Sequence, residues 1–393
     1  MKVLLVNKFL YYNGGAEKYF FELSERLRAM GHDVAWFGMA HEKNVPNAVK
    51  TVALTETVDF HGGRLINPLK TIYSLEAKRK IIISLNNFNP DVVHLNNFNY
   101  QLTSSIIHGV KRYAKTRKRA VKMIYTAHDY QLICPNHTLR ANGANCQKCV
   151  TGNFINCLLQ RCVHGSLAMS AVGSAEAYFC RLIGVYKHID AIICPSRFMA
   201  SAFKDFGART IIKRNFITKP SVRETGRESY VLFFGRYSDE KGVKTLLDIC
   251  AELPEIKFRF AGDGPLSDLI TGDNIENLGF VTGKTLDSLI QRALFTVFPS
   301  EWHENCPYSV MESLNAGTPV IGSNLGGTPE LIKNGETGLL FRSGDKNDLK
   351  GKIQSLWNDA ALRERMSKAC ARSVSCSSEE YANWLVNDIY MNL

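Results

Sequence analysis

Short β-rich runs alternate along this chain with longer amphipathic stretches, and the whole pattern occurs twice. The first series comprises KVLLV (2–6), DVAWF (33–37), DVVHL (91–95), KMIYTA (122–127) and AIIC (191–194). After its first member comes AEKYFFELSERLRAM (16–30), where Phe20, Leu23 and Leu27 recur at helical spacing and Gly31 is expected as the C-terminal cap. The second series comprises YVLFF (230–234), KFRFAG (257–262), NLGFV (277–281), LFTVFPS (294–300), TPVIGS (318–323) and GLLF (338–341). Strands alternating with helices predict a parallel sheet covered on both faces. Two series predict an α/β chain of two doubly wound domains, 1–215 and 216–375, joined near 215–228, where NFITKPSVRETGRE is polar and aperiodic. The stretch 376–393 reads as an amphipathic helix expected to pack back on the first domain. Such sheets bind ligands at the carboxyl ends of their strands, so two that face each other make a cleft.

The chemistry is therefore sought just after the strands. In YNGGAEK (12–18), Gly14 and Gly15 permit positive φ and close approach of another backbone, and the next helix points free N–H groups outward. A plain tight turn and a phosphate contact are both open. In FFGRYSDEKGV (233–243), Gly235, Arg236 and Lys241 follow a buried strand. A guanidinium fork and an ammonium point charge suit a diphosphate, although two solvated loop cations read the same way. In HENCPYSVMESLNAGTPV (303–320), Glu304 precedes a helix whose first turn suits Pro307, whose apolar face is Val310, Met311 and Leu314, and whose end is capped by Gly317. Glu312 falls in the second turn. Five residues of helix advance roughly 7.5 Å, similar to the span from a ribose past two phosphates to an attached sugar. The two glutamates are thus expected to grip the two polyol ends of a sugar nucleotide. His128, in YTAHDY, would by itself read as a core or rim histidine.

FFGRYSDEKGV, FRFAGDGP, NLGFVTGKTLDSLIQRALFTVFPS and ENCPYSVMESLNAGTPVIGSNLGGTPELIKNGETGLLF resemble, in order and spacing, the retaining glycosyltransferases of family 4 (glycosyl transferases group 1) with the two-Rossmann GT-B fold. YNGGAEKYFFELSERLRAMGHDV is similar to that family's start. The resemblance implies that Gly15 approaches the donor phosphates or the acceptor, and that His128 contacts the donor sugar. It implies that Arg236 and Lys241 bind the diphosphate, Glu304 the sugar hydroxyls and Glu312 the ribose, with Gly279, Phe280 and Val281 near the base. Asn305, Cys306, Pro307 and Tyr308 are expected to line the donor pocket; the first three replace the family's usual glycine and apolar residue, which bears on the choice of sugar. No Asp-x-Asp pair occurs in the chain, so positioned cations rather than a metal ion are expected to meet the leaving-group charge.

Five of the 11 cysteines crowd into 128–166: Cys134, Cys146, Cys149, Cys157 and Cys162. This CxxC with further cysteines has the spacing of a structural zinc knuckle, with one thiol spare; buried thiols or a redox pair are the alternatives. The formal charge of +11 suggests an anionic partner. The basic stretch KRYAKTRKRAVK (111–122) and KRK (78–80) read as a solvated helix face or as contacts to anionic lipid. No run reaches about 18 apolar residues, the N-terminal apolar run is short for a signal peptide, and the expectation is a cytoplasmic protein, peripheral at most on the inner face of the membrane.

Together with the resemblance, which implies retention of configuration, these readings predict a metal-independent glycosyltransferase of hexosyltransferase type that moves a sugar from a UDP- or GDP-sugar to a glycan or polyprenyl-diphosphate-linked acceptor in polysaccharide biosynthesis. The alternatives are a sugar-nucleotide epimerase on the same fold, or a nucleic-acid-binding zinc-knuckle protein. The latter lacks a recognition helix and aromatic–basic interleaving, so nucleic acid is not an expected partner.

Overall fold

Two parallel sheets carry the chain in a computed structural model that describes residues 1–46, 50–51, 53–56, 68–204, 206–218, 226–373 and 376–393. Part of the expected join, 219–225, lies outside the described residues. The chain divides into a first unit, Met1–Asn215 with Ser378–Leu393, and a second, Phe216–Ser377.

The strands of the first unit are β1 (Lys2–Val6), β2 (Asp33–Phe37), β3 (Lys50–Thr51), β4 (Val92–Leu95), β5 (Lys122–Thr126), the hairpin β6 (Arg140–Ala141) and β7 (Ala144–Asn145), β8 (Ala191–Cys194) and β9 (Thr210–Ile212). Its main sheet runs β3-β2-β1-β4-β5-β8-β9 with every pair parallel. The second unit has β10 (Val231–Phe234), β11 (Phe258–Ala261), β12 (Ile275–Asn277), β13 (Phe295–Phe298), β14 (Val320–Ser323) and β15 (Gly338–Phe341), in the order β12-β11-β10-β13-β14-β15, again all parallel. Central strands such as β4, β8, β10 and β13 are buried at every position. This follows from helices covering both faces, and it is why these strands read as unbroken apolar runs. The edge strands are too short to be seen in sequence, β3 being two residues and β9 three. NLGFV is not a strand as expected: the regular pairing of β12 ends at Asn277, after which the Leu278 N–H still donates to Phe260 O at 2.8 Å and the Gly262 N–H to Gly279 O at 2.7 Å, while Gly279, at φ +65°, donates its own N–H to Asn277 Oδ1 at 3.1 Å.

In both sheets the strand order reverses once, between β1 and β4 and between β10 and β13. Connections leave on opposite faces at that point and open a crevice above the carboxyl ends of the two strands. The topology alone therefore says where in each unit a ligand should bind.

The C-terminal segment belongs to the first unit, and polar bonds hold it there. Tyr19 Oη donates to Tyr381 Oη at 3.0 Å and lies 3.2 Å from Thr126 Oγ1. Thr126 must then donate to Tyr19, so the His94 Nε2, 2.7 Å from Thr126 Oγ1, carries a proton, and Nδ1 accepts from Tyr390 Oη at 2.6 Å. His94 is fully buried, and burial, with the charge of His128 second, pushes its pKa down to about 3. Burial does the same to His128 and His137. Each unfolded histidine protonates near pH 6.5 and each folded one only near 3, so their stabilisation is full above pH 6.5 and is lost as the pH falls towards 3. Asp129 and Glu176, raised by burial to about 6 and about 7, act in the opposite sense between pH 4 and 7 but are outweighed. Between pH 6.5 and 4 the melting temperature is expected to fall by about 5 °C or more; a flat profile would contradict neutral buried histidines.

Candidate active site

In the second unit the crevice at the strand reversal is built from the loops after β10 and β13. Gly235 and Arg236 come directly after β10; both are exposed, and Arg236 makes no hydrogen bond or ion pair with another described residue. The chain then enters a short 3-10 turn, Asp239–Lys241, and Gly242 leads into the helix Val243–Glu252. A Cβ at Gly242, where φ is +69°, would stand 2.0 Å from the Pro299 carbonyl oxygen. This close approach brings Lys241 against the loop after β13. There its Nζ donates to Glu304 Oε1 at 2.5 Å and lies 5.2 Å from the Trp302 ring centroid and 5.8 Å from that of Phe298. Ser300 Oγ donates to the same Glu304 oxygen at 3.0 Å. Glu304 is 8% exposed and Lys241 22%, so the pair is shielded enough for its charges to matter.

Glu304 is itself held from behind. A Cβ at Gly326, φ +60°, would lie 2.5 Å from the Glu304 carbonyl oxygen, and the Gly327 N–H donates to that oxygen at 2.6 Å. Pro307, expected in the first helical turn, sits one residue outside it as the N-cap, because its ψ of 123° is extended. The helix is Tyr308–Asn315 and carries Glu312, half-buried, in its second turn. Gly317 ends it in a Schellman pair: Gly317 N–H to Leu314 O at 3.0 Å and Thr318 N–H to Ser313 O at 2.9 Å. The Cys306 side chain is buried with Ile217 and Met311, its Sγ 3.3 Å from Met311 Sδ, which leaves only its backbone for a ligand. Asn305 and Tyr308 are half-buried beside it. Gly279 and Val281 are half-buried past β12, and between them Phe280 stands 79% exposed.

In the first unit Gly14 and Gly15 lie at the start of the helix Gly15–Ala29, both exposed. The positive φ that glycine permits is not used at either position. Gly14 is extended at φ 175° and Gly15 already belongs to the helix, so what they offer is an open helix end without side chains. His128 follows β5. Asn96, after β4, donates from Nδ2 to Val6 O at 3.2 Å, so its Oδ1, 2.9 Å from His128 Nε2, is the acceptor. Nε2 of His128 therefore carries the proton, and Nδ1, which makes no hydrogen bond with a described residue, is a free acceptor. Tyr19 packs its ring edge against that imidazole at 4.8 Å.

Sequence reasoning missed the polar floor beside this histidine. Asn7 donates to Glu17 Oε1 at 3.0 Å and accepts the Asn97 N–H at 3.1 Å, tying the ends of β1 and β4 to the first helix. Burial raises Glu17, and it lowers Lys8 against the opposing pull of Asp129 and Glu17. The signal was available: Asn7-Lys8 and Asn96-Asn97 are polar pairs directly after buried strands.

The five insert thiols are all free. Cys157 and Cys162 approach to 2.8 Å between sulfurs, Cys134 Sγ donates to Asn136 Oδ1 at 2.8 Å, and Cys146 accepts from Gln160 at 3.5 Å. Cys149 is buried, its thiol pushed up to about 12 by burial and then by neighbouring cysteines. Among the described residues no three His, Cys, Asp or Glu side chains are arranged to hold a metal ion, so the thiols as placed do not fit the tetrahedral zinc set expected from their spacing.

Two doubly wound parallel-sheet units, each with charged and polar groups at its strand reversal, define a protein of the GT-B type. The profile for Glycosyltransferase Family 4 matches residues 13–214, and that for glycosyl transferases group 1 matches 216–372. The chain belongs to glycosyltransferase family 4. It is 28% identical over 358 residues to an uncharacterised 42.6 kDa protein in the cps region of Klebsiella pneumoniae, covering 85% of this chain and 88% of that one. It is 28% identical over 215 residues to an uncharacterised glycosyltransferase of Methanocaldococcus jannaschii, covering 52% of this chain and 60% of the relative. With a sulfoquinovosyl transferase of Arabidopsis thaliana the identity is 34% over 146 residues, 35% of this chain and 28% of the relative. The chain thus spans less than two thirds of the length of these last two. Sucrose-phosphate synthase from Thermosynechococcus elongatus shares the fold with a TM-score of 0.71 at 16% identity, over 99% of this chain and 98% of that one. Anabaena HepE in complex with UDP-glucose does so with a TM-score of 0.65 at 16% identity, over 99% and 100%.

Proposed function

We propose that this protein transfers a hexosyl group, with retention and without a catalytic metal ion, from a UDP- or GDP-sugar to a glycan or polyprenyl-diphosphate-linked acceptor in cell-surface polysaccharide synthesis, at the cytoplasmic side of the membrane. One observation carries the reading: Lys241 and Glu304, 63 residues apart, meet at the carboxyl ends of the two strands where the second sheet reverses. In this reading Lys241 and the exposed Arg236 meet the diphosphate charge as the glycosyl bond breaks. Glu304 accepts from sugar hydroxyls while holding Lys241. Glu312 accepts from the ribose, Phe280 offers a ring face to the base, and His128 Nδ1 accepts from a sugar hydroxyl. Family membership, and the UDP-glucose held by Anabaena HepE, support a nucleotide-sugar donor.

A thermal-shift screen of UDP- and GDP-sugars tests it: at least one should raise the melting temperature, and no shift with any of them would overturn the donor reading. With that donor, Arg236→Ala is expected to lower kcat about 100-fold, and Glu312→Ala to raise KM about tenfold with less effect on kcat. An unchanged kcat in the Arg236 variant would remove it from the chemistry.

A further inference from the structure

The end of the cysteine insert and the helix after it carry an apolar surface that the described residues of the first unit leave exposed. On the helix Leu167–Leu182, Leu167 is 53% exposed, Tyr178 42% and Leu182 86%, with the exposed alanines Ala171 and Ala175 between them at helical spacing. The neighbouring helix Ile155–Gln160 adds Ile155 at 41% and Leu159 at 72%, one turn apart. The two helices form one face: the Ile155 N–H donates to Tyr178 Oη at 3.2 Å, and Ser174 Oγ donates to the Phe154 carbonyl at 2.9 Å. Single exposed apolar side chains need no explanation, but a joined set of this kind does.

Its charge says what it meets. From Tyr130 to Ile189 the only carboxylate is Glu176, which is 2% exposed, while Lys148, Arg161, Arg181 and Lys187 are all exposed. An apolar face bordered by cations, with the exposed Asp190 beyond Lys187 bonded to the Met123 N–H at 2.7 Å, complements an anionic lipid surface, where the side chains enter the headgroup layer and the cations meet phosphates. A second copy docked by a twofold axis would bring these same cations together. The basic helix Ser105–Arg117 is a weaker candidate because its charge is partly engaged at its end: Arg117 bonds Asn86, and Arg119 just beyond pairs with Asp91.

We propose that the surface formed by helices Ile155–Gln160 and Leu167–Leu182 docks the protein on an anionic bilayer. This deepens the lipid-linked-acceptor reading above and rests on it.

Sedimentation with phosphatidylglycerol-containing vesicles tests it against vesicles of phosphatidylcholine alone. Binding is expected only to the anionic vesicles. In L159S/L182S, a pair exposed enough to leave folding intact, it should fall at least tenfold with the melting temperature and donor-induced shift unchanged. The control K111E/R112E should retain most of the binding. Binding lost in the control but kept in L159S/L182S would overturn the proposal, as would no vesicle binding at all. A concentration-dependent dimer abolished by L159S/L182S would assign the face to a second copy instead. Because donor binding is read separately, failure here is distinguishable from failure of the transferase reading.

Discussion

Lys241→Ala is expected to reduce kcat by two to three orders of magnitude with whichever nucleotide sugar stabilises the protein. A positioned donor aimed at developing negative charge contributes about 3–4 kcal/mol to a transition state. Lys241 meets the structural requirement, since its ammonium is fixed between Glu304 Oε1 at 2.5 Å and the faces of Trp302 and Phe298. Arginine is a poor replacement, because a planar fork cannot occupy a site shaped for a point charge between two rings. The variant also has a structural cost: Glu304, 8% exposed, would keep among the described residues only the Ser300 hydroxyl at 3.0 Å, and an undersatisfied buried carboxylate costs about 1–3 kcal/mol. The two effects separate experimentally. Activity measured well below the melting temperature reports the chemistry, and thermal unfolding reports the lost partner. If kcat stayed within threefold while the melting temperature fell, Lys241 would be a structural cation and the diphosphate would need another partner.

Gly242→Ala should destabilise the second unit far more than Gly344→Ala does. Both glycines have similar positive φ, +69° and +76°, so an alanine at either incurs the left-handed penalty of about 1–2 kcal/mol. They differ in what the new Cβ meets. At Gly344 nothing lies within 4 Å, whereas at Gly242 the Pro299 carbonyl oxygen is 2.0 Å away and its carbon 2.8 Å. Backbone must move to relieve that contact, at a further cost of about 2 kcal/mol or more. The expected difference in melting temperature between the two variants is at least about 5 °C. Because the same approach seats Lys241 against Glu304, Gly242→Ala should also weaken donor-induced stabilisation while Gly344→Ala leaves it intact. Equal melting temperatures would mean that the two strand ends are not locked together here.

Much of this arrangement was legible in sequence, and the parts that were not share a cause. Strands such as KVLLV, DVVHL and YVLFF stand out because burial on both faces demands an unbroken apolar run. NLGFV carries the same composition, but regular pairing ends at Asn277 and Gly279 takes a positive φ of +65° through which a strand does not continue. The Gly-Gly loop lies at a helix start, and the positive φ its glycines permit goes unused there. The cysteine spacing placed five thiols in one segment, and the structure adds the partner each of four sulfurs takes: Cys157 and Cys162 each other, Cys134 and Cys146 a side-chain amide. Spacing along a chain does not fix the direction in which a short side chain points.

The sequence by itself determined two α/β units, the residues just past each strand, and the position of Glu304 and Glu312 around one helix start. All of these depend on local period and on the conformational limits of proline and glycine. Tertiary structure alone decided that β10 adjoins β13, which turns a lysine and a glutamate distant in sequence into a single ion pair. It also decided that Asn96 sets the tautomer of His128, and by which bonds, Tyr381 to Tyr19 and Tyr390 to His94, the C-terminal segment expected on the first domain is held there. Strand order and hydrogen-bond direction are properties of packing between distant segments, and no local pattern encodes them.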